Sequence, residues 1–183
     1  MPRIDLLPPQ GGDPETAAMF AEVRARGIEL PNLYRVIGHA PKMLRAWLDF
    51  AWPLRLDATL PRALREVLIL RIAQRGGVLY EWSHHVPMAL AAGVPRAKVD
   101  AIRAWRDAGA FDDAEREVLA LADEIVDGPG ASASTIAALR ARHGEGGSVE
   151  LVLTASFYVC VSRFLLSMDV ECEEGHEVVP LPR

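Results

Sequence analysis

Proline and glycine cut this chain into segments, and within the segments the apolar residues recur three and four positions apart. That is the period of a helix with one buried face. Leu44, Trp47, Leu48 and Ala51 follow it, as do Leu64, Val67, Leu68 and Ile72, and later Val118, Leu121, Ala122 and Ile125. No stretch shows the strict alternation of a half-buried strand. The pattern predicts an all-α fold.

The punctuation predicts where each helix begins and ends. Asp13 before Pro14 places an N-cap ahead of proline at the first helical position, and that helix should stop near Gly27. Asn32 to His39 reads as a short helical turn ended by Pro41, and the next helix carries Leu44 to Ala51 and closes near Pro53. A helix from Pro61 to Gln74 is broken by Gly76-Gly77. Another runs from Val78 to Ala92 and stops at Gly93, with Pro87 inside it as a local bend. A helix from Pro95 to Trp105 follows. Asp112 and Glu115 have capping-box spacing and open a helix that Gly128-Pro129-Gly130 ends. Ser132 or Ser134 starts the next, Gly144 closes it, and Ser148 is placed to cap a last long helix to Met168. Residues 1–12 read as an extended, proline-rich lead, and residues 170–183 as an irregular acidic tail. Connections are short, so the 183 residues are expected to form a single domain.

Half of the residues are hydrophobic, enough for a core without metal or disulfide support. The formal charge of −5 argues against a nucleic-acid surface, which needs a basic stripe. Met1 to Asp5 lacks a long apolar leader, so a cytoplasmic protein is expected. Val149 to Met168 is about the length of a membrane span, but it contains Thr154, Ser156, Tyr158, Ser162 and Arg163. It reads as a buried helix. Cys160 lies in this apolar stretch and is expected to be a buried small hydrophobe; Cys172 follows the last helix. Neither has the spacing of a redox or zinc motif.

The densest polar cluster is Tyr80-Glu81-Trp82-Ser83-His84-His85, directly after the Gly-Gly break. Glu81 and His85 are four apart and share a helix face. A carboxylate beside an imidazole holds it in one tautomer and raises its pKa, and such a pair can move a proton near neutral pH. The same spacing is also met in ordinary surface pairs. Glu66, on the preceding helix, faces the same place if the two helices pack antiparallel. Glu81-Trp82-Ser83-His84 is also a Glu-x-x-His, the unit of di-iron bundles. Its one counterpart, Glu173-Glu174-Gly175-His176, falls in the glycine-containing tail, so no metal is assigned. Trp47, Trp52, Trp82 and Trp105 suit either a core or an oligomer interface.

Arg65-Glu66-Val67-Leu68-Ile69-Leu70-Arg71-Ile72-Ala73, then Tyr80 to His85, then Ala89 and Gly93, resembles the signature of the carboxymuconolactone decarboxylase/AhpD-like family. The flanking Asn32 to Pro41, Glu115 to Leu119 and Glu150 to Leu153 are similar to the matching segments of family members of this length. The resemblance implies an AhpD-like helical domain of antiparallel helix pairs, and a homo-oligomer. It aligns Glu66 and His85 with the family's conserved acid and histidine, and Val78 and Glu81 with the two cysteines of its redox members. A thiol peroxidase needs a thiolate at that place, and this chain has none there. Decarboxylase-like members lack the cysteines and lose CO2 from a carboxylated muconolactone without a cofactor.

What the resemblance implies here is a cofactor-independent lyase or isomerase acting on a small carboxylated cyclic metabolite. His85 would carry the proton, with Glu81 as its partner and Glu66 as a second acid. Tyr80, Trp82 and His84 are candidates to line the substrate, and Arg71, Arg75 and Arg163 to meet its carboxylate. The alternatives are an AhpD-like peroxidase with a degenerate site using Cys160 or Cys172, and a non-enzymatic helical oligomer that binds a small molecule.

Overall fold

The computed structural model describes residues 2–182, and all regular structure among them is helical. Eight α-helices follow in order: α1 (Pro14–Ala25), α2 (Asn32–Ile37), α3 (Pro41–Trp52), α4 (Arg62–Gly76), α5 (Leu79–Ala91), α6 (Arg96–Ala101), α7 (Asp113–Asp127) and α8 (Ala133–Met168). A π turn over Pro53–Asp57 follows α3, and a 3-10 turn over Ile102–Ala104 follows α6. The residues fall into two compact units, 2–57 with 164–176, and 58–163 with 177–182.

The first unit begins as the sequence implies. The Asp13 carboxylate accepts from the backbone N–H groups of Glu15 and Thr16 and from the Thr16 hydroxyl, and Pro14 takes the first helical position. The Thr16 hydroxyl also donates to the Gly38 carbonyl, at the end of α2. A Cβ at Gly38 would lie 3.0 Å from side-chain atoms of both Leu7 and Phe20, so this close approach needs glycine. Pro41 ends the short turn as expected and is also the first residue of α3. The tail returns to α2, where Asn32 donates its backbone N–H to the Glu173 carboxylate at 2.6 Å and its amide to the Glu171 carbonyl.

The second unit is organised by α4. Leu64, Val67, Leu68, Ile69, Leu70, Ile72 and Ala73 are all buried, so α4 is covered on every side. Gly77, with φ 69°, takes the left-handed conformation that ends the helix, as the Gly-Gly pair implied. The chain then turns back: Arg62 reaches Met88 and Glu66 reaches His85, which makes α4 and α5 antiparallel. Helix α7 opens with the expected capping box between Asp112 and Glu115. It lies parallel to α4, since Arg71 pairs with Asp123 and Arg75 with Asp127, each step four residues on in both helices.

Two expectations are corrected in α8. The backbone breaks at Gly144 (φ 70°, ψ −177°) as anticipated, but the helix resumes at once, and the Ser148 hydroxyl donates back to the Gly144 carbonyl instead of capping a new helix. Cys160 is exposed, not buried. Leu151, Ala155, Tyr158 and Ser162 take the inward face at helical spacing, which turns Val149, Leu153 and Cys160 outward. By length and composition α8 is long and apolar enough to cross a membrane; its inward face is packed in the second unit.

The two rungs between α4 and α7 differ in environment. Arg71 and Asp123 are nearly inaccessible, and Asp123 also accepts from Arg106 and the Trp105 indole. Arg75 and Asp127 are each half exposed. Removing one partner of a buried pair strands a charge, whereas an exposed pair contributes little. Arg71→Met should lower unfolding stability by about 3 kcal/mol, and Arg75→Met by about 0.5 kcal/mol or less, as read from urea denaturation.

Candidate functional site

Glu66 lies in the middle of α4 and is fully buried. Its Oε1 accepts from the Arg62 guanidinium at 2.5 Å, one turn earlier on the helix, and its Oε2 accepts from His85 Nδ1 at 2.8 Å. Burial alone would push the Glu66 carboxyl up. His85 and Arg62 outweigh it and hold the group below its ordinary value, so it is ionised. A carboxylate can only accept, so the Nδ1 of His85 carries the proton and Nε2 is the basic nitrogen. The imidazole is buried, and its ring meets Tyr158 of α8 edge-on with centroids 5.0 Å apart. The result is an aligned row of guanidinium, carboxylate and imidazole, drawn from α4 and α5.

Glu81 sits one turn before His85, in the first turn of α5. It is 2% exposed. The partner expected from spacing was His85. The structure gives His85 to Glu66, and Glu81 turns to α8, where its Oε2 accepts from the Ser162 hydroxyl. Its Oε1 is buried with no hydrogen-bond partner among the described residues. Burial pushes the Glu81 carboxyl up to about 8, with the Ser162 hydroxyl pulling the other way. Glu81 is therefore mostly neutral at pH 7. The pairs Glu81–Ser162 and His85–Tyr158 step in opposite directions along α5 and α8, so these helices are antiparallel.

The other sequence candidates have separate roles. Arg71 is not available to a substrate, because its guanidinium is spent on Asp123, Gln74 and the carbonyls of Ile102 and Arg103. Arg75 serves the exposed pair with Asp127. Arg163 is exposed on α8. Trp82 is a core residue whose indole N–H donates to the Pro180 carbonyl, and the Ser83 hydroxyl accepts from the backbone of Val179. Both contacts hold the end of the chain against α5. Tyr80 stacks on His84 with centroids 4.2 Å apart, and the Nδ1 of His84 bonds the Tyr80 carbonyl.

Sequence reasoning missed Arg62, Tyr158, Ser162 and Arg65. Arg62 had a signal, since it precedes Glu66 by one helical turn. Arg65 is buried, with its Nε donating to the Leu60 carbonyl. Burial and the neighbouring Arg62 lower its pKa, while Glu66 and Tyr158 act the other way, which places it among the same charges. A cavity of about 610 Å³ opens elsewhere, in the first unit, beside Arg24, Asn32, Arg35 and Cys172. It holds none of the row.

The model of the carboxymuconolactone decarboxylase family matches residues 41–124, a span from the start of α3 into α7 that includes Glu66, Glu81 and His85. Over residues 41–124 the chain matches the carboxymuconolactone decarboxylase family, and its fold is AhpD-like. Solved structures agree on the fold. A peroxidase-related protein of Ralstonia eutropha with an alkylhydroperoxidase AhpD core superposes with a TM-score of 0.80 at 16% identity, covering 94% of this chain and 93% of that one. A peroxidase-related protein of a Silicibacter species gives 0.78 at 16% identity, covering 96% and 93%. The debrominase Bmp8 gives 0.73 at 21% identity, covering 87% of each chain. No curated protein sequence matches this chain. Of the two thiols, Cys160 is exposed on α8, and Cys172 lies in the tail, in the first unit.

The displaced titration of Glu81 has a consequence for stability. In the unfolded chain the group ionises near 4.5, and in the fold at about 8. Between those values the folded state keeps a proton that the unfolded state has lost, so stability falls as pH rises across the interval and levels off above it. Glu81→Gln removes that contribution. Urea unfolding at stepped pH should show the variant gaining on the wild type from about pH 5 to about pH 9.

Proposed function

We propose that this protein is a cofactor-independent lyase or isomerase that moves a proton on a small cyclic or aromatic-derived metabolite, with His85 as the base. The observation that carries this reading is the buried bond between Glu66 Oε2 and His85 Nδ1. It sets the tautomer, and the carboxylate stabilises the imidazolium that forms when Nε2 takes a proton. Arg62 keeps Glu66 ionised, so the proton stays on the imidazole instead of passing to the carboxylate.

In an isomerisation, Nε2 removes a proton from the carbon next to a carbonyl, the C–H electron pair moves into the enolate, and the imidazolium returns the proton to the same or a conjugated carbon. In a decarboxylation, His85 starts as the imidazolium: the carbon–carbon bond to the carboxylate breaks, CO2 leaves, the electron pair of that bond enters the same enolate, the imidazolium protonates the carbon, and solvent reprotonates Nε2. Neither route needs an oxidant or a thiol. The substrate class is supported by the family, and by a Cys-to-Ala variant of the debrominase Bmp8 in complex with 2,3,4-tribromopyrrole, a small ring held by the same fold. Arg65, buried beside Arg62, is a better-placed cation for a substrate carboxylate than Arg71. The outward Val149, Leu153 and Cys160 of α8 suit the homo-oligomer that the family implies.

The peroxidase alternative has no cysteine in the row. Thiol titration with peroxide separates it: consumption of peroxide that is abolished by Cys160→Ser or Cys172→Ser would favour it. The direct test incubates the protein in D2O with a panel of γ-lactone carboxylic acids and β-oxo acids. Proton NMR follows C–H exchange, and evolved CO2 is measured in parallel. The wild type should turn over at least one member. His85→Ala should slow that turnover by about 100-fold or more, and Glu66→Gln by at least about tenfold. Undiminished turnover by His85→Ala, or no turnover of any member by the wild type, would sink the reading.

A further inference from the structure

A proton-abstracting base solves half of an enolisation. The negative charge that leaves the carbon collects on a carbonyl oxygen, and an active site gains most by placing a fixed donor at that oxygen. In the row of Arg62, Glu66 and His85, the Arg62 guanidinium and the Nδ1–H of His85 are directed at Glu66, so the oxygen calls for a further donor.

Glu81 has the geometry of the missing donor. It lies one turn from His85 on α5 and is 2% exposed. The Ser162 hydroxyl donates to Oε2, which directs a carboxylic proton to Oε1, and Oε1 is buried with no hydrogen-bond partner among the described residues. A buried polar atom without a partner is uncommon in a folded chain and calls for an explanation. The groups on the packed elements are committed elsewhere. On α4, Arg62 and Glu66 bond each other; on α5, His85 bonds Glu66; on α8, Tyr158 meets the His85 ring. The segment of the tail that reaches α5 presents Val179 and Pro180, not a charge. Burial and the Ser162 hydroxyl are thus what act on Glu81.

Building on the proton-transfer reading above, we propose that the Oε1–H of Glu81 donates a hydrogen bond to a substrate carbonyl oxygen as it becomes an enolate, with Ser162 as the positioning residue. The substrate class narrows to carbonyl compounds, meaning ketones, esters or lactones, whose oxygen lies on the Glu81 side of the reacting carbon while His85 takes the C–H proton. No bond to Glu81 forms or breaks. Its proton is shared with the oxygen during the reaction and stays on Oε1 when the carbon is reprotonated. A carboxylic acid kept neutral by an apolar site is suited to this work.

Phenolates mimic an enolate oxygen, so 4-nitrophenol, which is ionised throughout the alkaline range, is the probe. Binding is read from its visible absorbance. The wild type should bind it. Glu81→Ala should weaken binding by about tenfold or more, while Glu81→Gln, whose amide still donates, should stay within about threefold. Wild-type binding should decline as pH passes 8 and Glu81 ionises, and Glu81→Gln should show no such decline. Ser162→Ala should move the decline to higher pH, because the hydroxyl that eases ionisation is gone; a purely structural role for Ser162 would not shift it.

His85→Ala should abolish turnover yet retain phenolate binding, which separates failure of the base from failure of the donor. If Glu81→Ala unfolds, the infrared carbonyl stretch of a protonated carboxyl decides. It should be present in the wild type at neutral pH and absent in Glu81→Gln. Equal binding by wild type and a folded Glu81→Ala, no binding by the wild type, or no protonated-carboxyl band would each overturn the proposal.

Discussion

A carboxylate with no access to water must be matched on both oxygens, and Glu66 meets that requirement with Arg62 on one side and His85 on the other. The requirement reaches beyond the residue itself. Arg62 comes from the same helix, one turn earlier, so its supply is local. His85 must be brought by α5, and only an antiparallel return of the chain after Gly77 delivers it. An unmatched charge at this depth would be a severe penalty, so the pairing of α4 with α5 and the orientation of the imidazole follow from the same demand. The chemistry proposed for His85 uses an arrangement that electrostatics of folding already enforces.

Glu81 obeys the opposite rule. It is as deeply placed as Glu66 and has a hydroxyl for company instead of a guanidinium and an imidazole. Two glutamates within one small region therefore sit in different protonation states, one ionised and one neutral near pH 7. Environments that drive two carboxyls apart are how a site obtains an acceptor and a donor from one residue type. The cost falls on the fold, which must hold a carboxyl where water cannot solvate its anion.

Local features of the fold were legible in the sequence because they are decided within a few residues. The Asp13 cap, the Asp112/Glu115 capping box, the stop at Gly77 and the break at Gly144 all depend on near neighbours. Features decided across the fold were not. Glu81 and His85 have the spacing of a pair, but which carboxylate an imidazole chooses depends on what α4 presents. Arg71 looked like a free cation because Asp123 lies 52 positions further on, and nothing in the intervening sequence announces the pairing. Cys160 was misplaced because the stretch around it is apolar on both faces, and only the packing of α8 tells the inner from the outer. The family likeness singled out Glu66 and His85 but gave His85 to Glu81 as its partner, and Ser162 and Tyr158 lay outside its central motif.

Tyr158 and Ser162 are one turn apart on α8, and they serve different residues of α5. Their common bearing is set by where the helix restarts, at Gly144. The break divides α8 into two stretches whose rotational phases are independent. A residue added ahead of the break alters only the first stretch. A residue added between the break and Tyr158 turns every later side chain by about 100°. Such a change would withdraw the edge of Tyr158 from the imidazole and the hydroxyl of Ser162 from Glu81 together, and bring outward-facing positions of the helix into the site. Gly144 thus acts as the zero mark of a dial, and the spacing from it to Tyr158 tolerates substitution far better than insertion or deletion.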